Sequence, residues 1–107
     1  MIAPGTRVLV TGGAGFIGPP LVGRLLDEGC SAIVLDNFVR GRRAHLDPYR
    51  GHTAVTVAEC DLRDRDQTLD VVTGVMPDLV VHLAAHHFIP FCVANPAEAL
   101  RVNVLGT

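Results

Sequence analysis

The eight residues Thr11-Gly-Gly-Ala-Gly-Phe-Ile-Gly18 constrain this chain more than any others. Two glycine spacings overlap in them, Gly13-x-Gly15-x-x-Gly18 and Gly12-x-x-Gly15-x-x-Gly18. Just before them, Arg7 to Thr11 is short and β-branched, which reads as a buried strand. Just after, Phe16 to Glu28 places Ile17, Leu21, Val22, Leu25 and Leu26 on one helical stripe, with Gly29 positioned as the C-terminal cap. A strand, a glycine turn and a helix in that order form the context in which such a motif binds a dinucleotide. Gly12 and Gly13 allow the tight turn. Gly15 lets the backbone approach a pyrophosphate, and Gly18 lets the helix pack closely on the strand. The free N–H groups and positive end of the helix then face the phosphates. The alternative is a glycine-rich turn with no ligand.

The rest of the chain repeats the alternation. Ala32–Leu35, Ala54–Val57 and Leu79–Leu83 read as strands; Asp64–Gly74 reads as a helix, with Leu69, Val72 and Val75 near one face. Asn95 is placed as a cap, with Pro96 in the first turn of a last helix running toward Thr107. Arg40–His52 reads as a loop. Strands alternating with helices predict an α/β fold: a Rossmann-type, doubly wound parallel sheet, first half, with about four strands in the order 3-2-1-4. Asp36 ends the second strand, eighteen residues beyond Gly18. A carboxylate there accepts from both hydroxyls of an adenosine ribose and repels a 2′-phosphate, so NAD is expected in preference to NADP. Arg40, Arg42 and Arg43 follow closely; they either offset that repulsion or belong to a solvated loop.

Composition excludes other functions. At 107 residues the chain is one domain, and all nine of its cations are Arg. With no Lys there is no Schiff-base or P-loop lysine. A net charge of -2 provides no basic field for nucleic acid or an anionic membrane. Cys30, Cys60 and Cys92 are odd in number and widely spaced, the pattern of free thiols in a reducing compartment. No apolar run reaches the ~20 residues of a membrane helix, and no signal peptide is suggested at Met1–Thr6. The expectation is a cytoplasmic protein.

Five motifs occur in order: Thr11–Gly18; Asp36-Asn37-Phe38 with Gly41-Arg42-Arg43; Asp61-Leu62-Arg63-Asp64; His82-Leu-Ala-Ala85; and Asn103-Val-Leu-Gly-Thr107. Together they resemble the extended short-chain dehydrogenase/reductase family, the NAD-dependent sugar-nucleotide epimerases and dehydratases that include UDP-glucose 4-epimerase. The resemblance implies that Gly12, Gly15 and Gly18, with the backbone of Phe16 and Ile17, cradle the pyrophosphate. It implies that Asp36 and Asn37 hold the adenosine ribose. Asp61 and Leu62 would border the adenine, the Asp61 carboxylate accepting from its exocyclic amine. Leu83, Ala84 and Ala85 would run beneath the cofactor, His87 would lie near the nicotinamide ribose, and Asn103 would support the site from the next helix. In a complete relative it implies reversible hydride exchange between a sugar-nucleotide carbon and NAD, with a Tyr activated by a Lys removing the hydroxyl proton.

This sequence departs from the family in two places. Pro19 and Pro20 follow the last glycine, where small or polar residues are usual, so the helix either starts late or bends. The catalytic Ser/Thr and Tyr-x-x-x-Lys lie further along than this sequence reaches, and Tyr49, with Thr53 in place of the lysine, cannot substitute. No catalytic residue is therefore assigned. Residues 1–107 are read as a partial NAD-binding domain without the substrate domain, and a sugar nucleotide is a partner only if downstream sequence completes it. The alternative is a catalytically silent NAD-binding or protein-interaction module. His82, His86 and Cys92 invite a metal reading, but His82 is expected inside a strand and His86 beyond its end, so no metal site is assigned. Leu79–Leu83 is apolar on both faces, an interior pattern at what would be a sheet edge. The expectation is a homodimer formed edge to edge, a complementing chain, or aggregation.

Overall fold

Four parallel strands form one sheet in a computed structural model that describes residues 2–107. β1 (Arg7–Thr11), β2 (Ser31–Asp36), β3 (Val55–Glu59) and β4 (Leu79–His82) lie in the order β3-β2-β1-β4, the predicted topology. Register is continuous: Val8, Leu9 and Val10 of β1 stand beside Ala32, Ile33 and Val34 of β2 and beside Leu79, Val80 and Val81 of β4. Successive side chains alternate between the two faces, so the strands divide the core in two. Val8, Val10, Ala32 and Val34 meet Val22 and Leu25 of α1 (Gly18–Asp27) on one face. Leu9, Ile33 and Leu35 meet Val71, Val72 and Val75 of α2 (Arg65–Val75) on the other. Burial on both faces explains why the two central strands, β1 and β2, are almost continuously apolar; β3 and β4, at the sheet edges, are half-buried or exposed.

α1 starts at Gly18, two residues later than its apolar stripe suggests, and Ile17 stands outside it, 63% exposed. The prolines account for the late start. Pro19 and Pro20 occupy the first turn, where an N–H has no intrahelical acceptor and its loss carries no penalty. At the other end Gly29 caps as expected: its N–H bonds Leu26 O at 2.9 Å and that of Cys30 bonds Leu25 O at 2.9 Å. α2 starts at its Asp64 cap, whose Oδ1 accepts from the Gln67 N–H at 3.0 Å. Leu69 does not share its buried face and is 49% exposed; Val71 takes that place.

The segment expected as a loop contains a 3₁₀ turn, Arg43–Tyr49. Leu46 anchors it in the α1-side core, and the Tyr49 hydroxyl donates to Pro19 O at 2.8 Å. A short helix not anticipated from the sequence, α3 (Ile89–Ala94), precedes α4 (Pro96–Leu100). Asn95 does not cap α4 through its side chain; its Nδ2 donates backward to Phe91 O at 3.1 Å. Arg101–Leu105 continues α4 as a single π-helical turn, a widening often found at functional positions.

Candidate functional site

In the order 3-2-1-4 the chain leaves β1 toward β2 on one side, and β4 joins β1 from the other. The loops above the carboxyl ends of β1 and β4 therefore diverge, and a crevice opens where such folds bind ligands. A cleft of about 440 Å³ lies there, within the ~300–1,000 Å³ usual for small-molecule and cofactor sites. Every residue proposed from the sequence lines it except Gly18 and Asn103. Gly12, Gly15, Phe16 and Ile17 come from the turn after β1. Asp36 and Asn37 follow from β2, Asp61 and Leu62 from the end of β3, and Leu83, Ala84, Ala85 and His87 from beyond β4.

Gly12 and Gly18 are glycines for different reasons. Gly12 has φ +68°, and a Cβ on it would stand 2.8 Å from the Ala84 backbone, so the turn after β1 touches the end of β4. Gly18 is buried, and a Cβ on it would enter the Gly13 peptide, 2.5 Å from the Gly13 Cα. α1 begins with no side-chain cap. The N–H groups of Phe16, Ile17 and Gly18 take no backbone acceptor among the described residues. Uncapped donors at the positive end of a helix, opening on a cleft, suit an anion.

Asp36 is 7% exposed. Its Oδ2 accepts from the Ala14 N–H at 3.0 Å and its Oδ1 from the Phe38 N–H at 2.8 Å. An ionised carboxylate has about four acceptor positions, so two stay free for hydroxyl donors in the cleft. Gly41 packs against this carboxylate: a Cβ there would meet Asp36 Oδ2 at 2.7 Å and the Ala14 Cβ at 3.0 Å. Two of the three arginines after β2 have partners other than Asp36, and Arg42 is exposed, its backbone N–H bonded to Ala14 O at 3.1 Å. Arg43 binds Glu59 at 2.7 Å and stacks 4.0 Å from the Phe38 ring centre, while Arg40 lies over the rings of Phe88 and Phe91 at 5.7 and 5.4 Å.

At the adenine end as expected from sequence, the Asp61 oxygens already accept from the Arg63 guanidinium and from its backbone N–H. Arg63 also binds Glu98 of α4, which holds Arg101 at 2.9 Å. The side-chain hydrogen bonds from Arg63 hold both carboxyls below their ordinary range, and those carboxylates in turn push the guanidinium up. A carboxyl depressed on folding stabilises the fold above its unfolded pKa and loses that contribution as pH falls through its folded value. Melting temperature is therefore expected to fall as pH drops from about 5 toward 3. In Arg63→Ala the decline should be shallower; equal slopes in thermal melts would remove Arg63 as the cause. Exposed pairs of this kind contribute modestly. Beside them burial pushes the Cys60 thiol up, so the cleft wall there is a neutral thiol.

Asn103 stands behind the cleft, not in it. Its Oδ1 accepts from the His86 N–H at 2.7 Å and its Nδ2 donates to His86 O at 2.9 Å, so one amide clamps the loop after β4. His86, Arg40, Gly41, Cys60, Leu35, Val39 and Val102 also line the cleft, and none belongs to the site assigned from sequence. Gly41 carried a signal, since a glycine inside an arginine cluster needs a reason. Leu35, Val39 and Val102 carried none, because an apolar cleft wall and a core residue have the same sequence signature. His82 and Cys92 turn to other partners: the His82 ring bonds Thr11 and Thr107, and the Cys92 Sγ donates to His86 O at 3.4 Å. Among the described residues no group of three or more His, Cys, Asp or Glu side chains could hold a metal ion. None of the described helices is long and apolar enough to cross a membrane.

The family model described as "NAD dependent epimerase/dehydratase family" matches residues 8–107. The UDP-glucose 4-epimerase of Halalkalibacterium halodurans is 42% identical over 94% of this chain and 28% of its own length. The UDP-glucuronic acid decarboxylase 1 of Danio rerio is 34% identical over 94% of this chain and 22% of its own. Among solved structures, the Thermus thermophilus UDP-glucose 4-epimerase in complex with NAD superposes with TM-score 0.83 at 38% identity, over 94% of this chain and 31% of that one. The chain thus spans less than a third of these relatives' lengths, and the match falls on their N-terminal portion.

Proposed function

This chain belongs to the NAD-dependent epimerase/dehydratase family, and from that premise we propose that residues 1–107 are the NAD-binding part of a sugar-nucleotide epimerase or dehydratase. One observation carries the reading: the uncapped N-terminus of α1 and the Asp36 carboxylate open into the same cleft. In this reading the N–H groups of Phe16, Ile17 and Gly18 bind the diphosphate, and Gly12 and Gly15 keep the turn bare enough for it to approach. Asp36 and Asn37 take the adenosine ribose, and Asp61 and Leu62 border the adenine. Leu83, Ala84 and Ala85 form the floor; His87 and the Asn103-clamped loop form the wall at the nicotinamide end. Bound NAD would supply hydride-transfer chemistry there; this chain's own share is to bind, orient and enclose the dinucleotide. NAD is favoured over NADP because the Asp36 carboxylate repels a 2′-phosphate, and Arg40 and Arg43 are engaged with Phe88, Phe91, Phe38 and Glu59. A sugar nucleotide is the substrate class of the whole enzyme, with the Tyr-x-x-x-Lys pair supplied outside these residues. The three free thiols fit a cytoplasmic setting.

Titration calorimetry of the full chain should show NAD binding more tightly than NADP. Equal or reversed affinities would overturn the Asp36 assignment. The purified chain should turn over no sugar nucleotide, since acid–base groups that typically contribute ~10²–10⁴-fold are not among its residues. Turnover lost on changing His86 or His87 would contradict this. β4 ends the sheet among the described residues, with Leu79 39% and Val80 49% exposed and no Lys or Pro to block strand pairing. We expect it to be covered by a second copy or a complementing chain. Light scattering over a concentration series should show association, and a monodisperse species of monomer mass at every concentration would count against it.

A further inference from the structure

The hydrogen bonds around His82 can be assigned by counting protons. The Thr11 hydroxyl has two lone pairs and one proton. The Leu83 N–H is shared between Thr11 O at 3.0 Å and Thr11 Oγ1 at 3.1 Å, and the Ala84 N–H reaches the hydroxyl at 3.3 Å, so the tautomer is fixed from the other end. The Thr107 hydroxyl uses its one proton on Asn103 O, so it accepts from His82 Nε2, and the Thr11 hydroxyl then donates to His82 Nδ1, 2.6 Å away. Nδ1 is therefore the acceptor, and the neutral ring carries its hydrogen on Nε2. That hydrogen faces the Thr107 Oγ1 at 3.2 Å, and the Thr107 hydroxyl donates to Asn103 O at 3.0 Å. Asn103 in turn clamps both backbone groups of His86. All the links from the strand to Asn103 run in one direction, the arrangement in which successive hydrogen bonds reinforce one another.

The relay joins two distant segments, the end of β1 and the last helical turn, and each of them grips the loop after β4. At one end, the Thr11 hydroxyl holds the backbone of Leu83 and Ala84, the floor. At the other, the Asn103 amide holds His86, the wall. His82 is the link between them. We propose that His82, as its Nε2–H tautomer, is a positioning residue that seats the loop after β4 between the end of β1 and the last helical turn, and with it the floor and wall at the nicotinamide end of the cleft. The proposal rests on the dinucleotide reading above. The ADP half, at Asp36 and the N-terminus of α1, lies outside the relay.

Two measurements test this. Imidazole ¹⁵N–¹H correlation spectra of the labelled full chain should show His82 with a bare Nδ1 and a protonated Nε2; a protonated Nδ1 would overturn the assignment whether or not any nucleotide binds. Binding is then compared for NAD and ADP. His82→Phe, which removes both ring nitrogens, should weaken NAD about tenfold, the scale of one lost hydrogen bond, while ADP changes less than about twofold. Thr107→Val should weaken NAD about threefold and Thr107→Ser should restore it, because only the hydroxyl is needed. Equal losses for NAD and ADP would mean general damage to the fold and would refute the positioning role, as would no loss for either. A wild-type chain that binds neither nucleotide would refute the dinucleotide reading itself, and the tautomer measurement would still decide the relay.

Discussion

Gly18→Ala is expected to lower the melting temperature by about 15–30 °C, or to prevent folding. The added Cβ would enter the peptide of Gly13, and both groups are backbone, so no rotamer relieves the contact. Relief requires α1 to lift off the turn, which draws Val22 and Leu25, at 0% and 2% exposure, out of the core they share with Val8, Val10 and Val34. A cost of about 3–5 kcal/mol fits overpacking plus lost burial. A domain of this size shifts by ~4–8 °C per kcal/mol, against a total stability of ~5–15 kcal/mol. Gly74→Ala is the control. A Cβ there, near the end of α2, meets nothing within 4 Å, so the helix should gain ~0.5–1 kcal/mol. Thermal circular dichroism of the two variants should show opposite signs. Little change in Gly18→Ala would mean that α1 does not seat on the turn as described.

Asp36→Ala should weaken NAD binding by about 30- to 1,000-fold, equivalent to roughly 2–4 kcal/mol. Two losses combine. The ribose loses charged acceptors, and the buried Ala14 N–H, now bonded to Oδ2 at 3.0 Å, loses its partner inside the phosphate turn. NADP should lose less, because the repulsion of its 2′-phosphate disappears along with the acceptor, so the gap between the two cofactors narrows. Asp36→Asn separates the effects: one carboxamide oxygen keeps an acceptor in place while the charge goes. Its NAD affinity should fall between those of the wild type and the Ala variant. Calorimetry with both cofactors reads all of this, and an Ala variant that binds NAD as well as the wild type would mean that the ribose lies elsewhere.

Features generated by near neighbours in the chain were legible in the sequence. The late start of α1 is an instructive partial case. The apolar stripe pointed to Phe16, and the prolines pointed beyond it. The stereochemistry prevailed, because hydrophobic periodicity tolerates a slide of two residues while a proline N has no hydrogen to donate. Leu69 shows the opposite weakness. The periodicity put Leu69 with Val72 and Val75, whereas it is Val71 that packs with them against Leu9, Ile33 and Leu35 while Leu69 is left 49% exposed. For Asp61, the sequence placed a carboxylate at the cleft but could not reveal that Arg63 already occupies its oxygens, with Glu98 drawn in from 35 residues further along.

What the sequence determined by itself was the β1–turn–α1 unit, the parallel order 3-2-1-4 and the place of Asp36 at the end of β2. These follow from period, sterics and handedness, which act over a few residues or restrict connections generally. What only the tertiary structure decided was how separate segments meet: Gly41 against the Asp36 carboxylate, Asn103 around His86, and Thr11, His82 and Thr107 in one relay. Such contacts depend on placing residues up to 71 positions apart in the chain to within a few tenths of an ångström, and no local pattern encodes a placement of that kind.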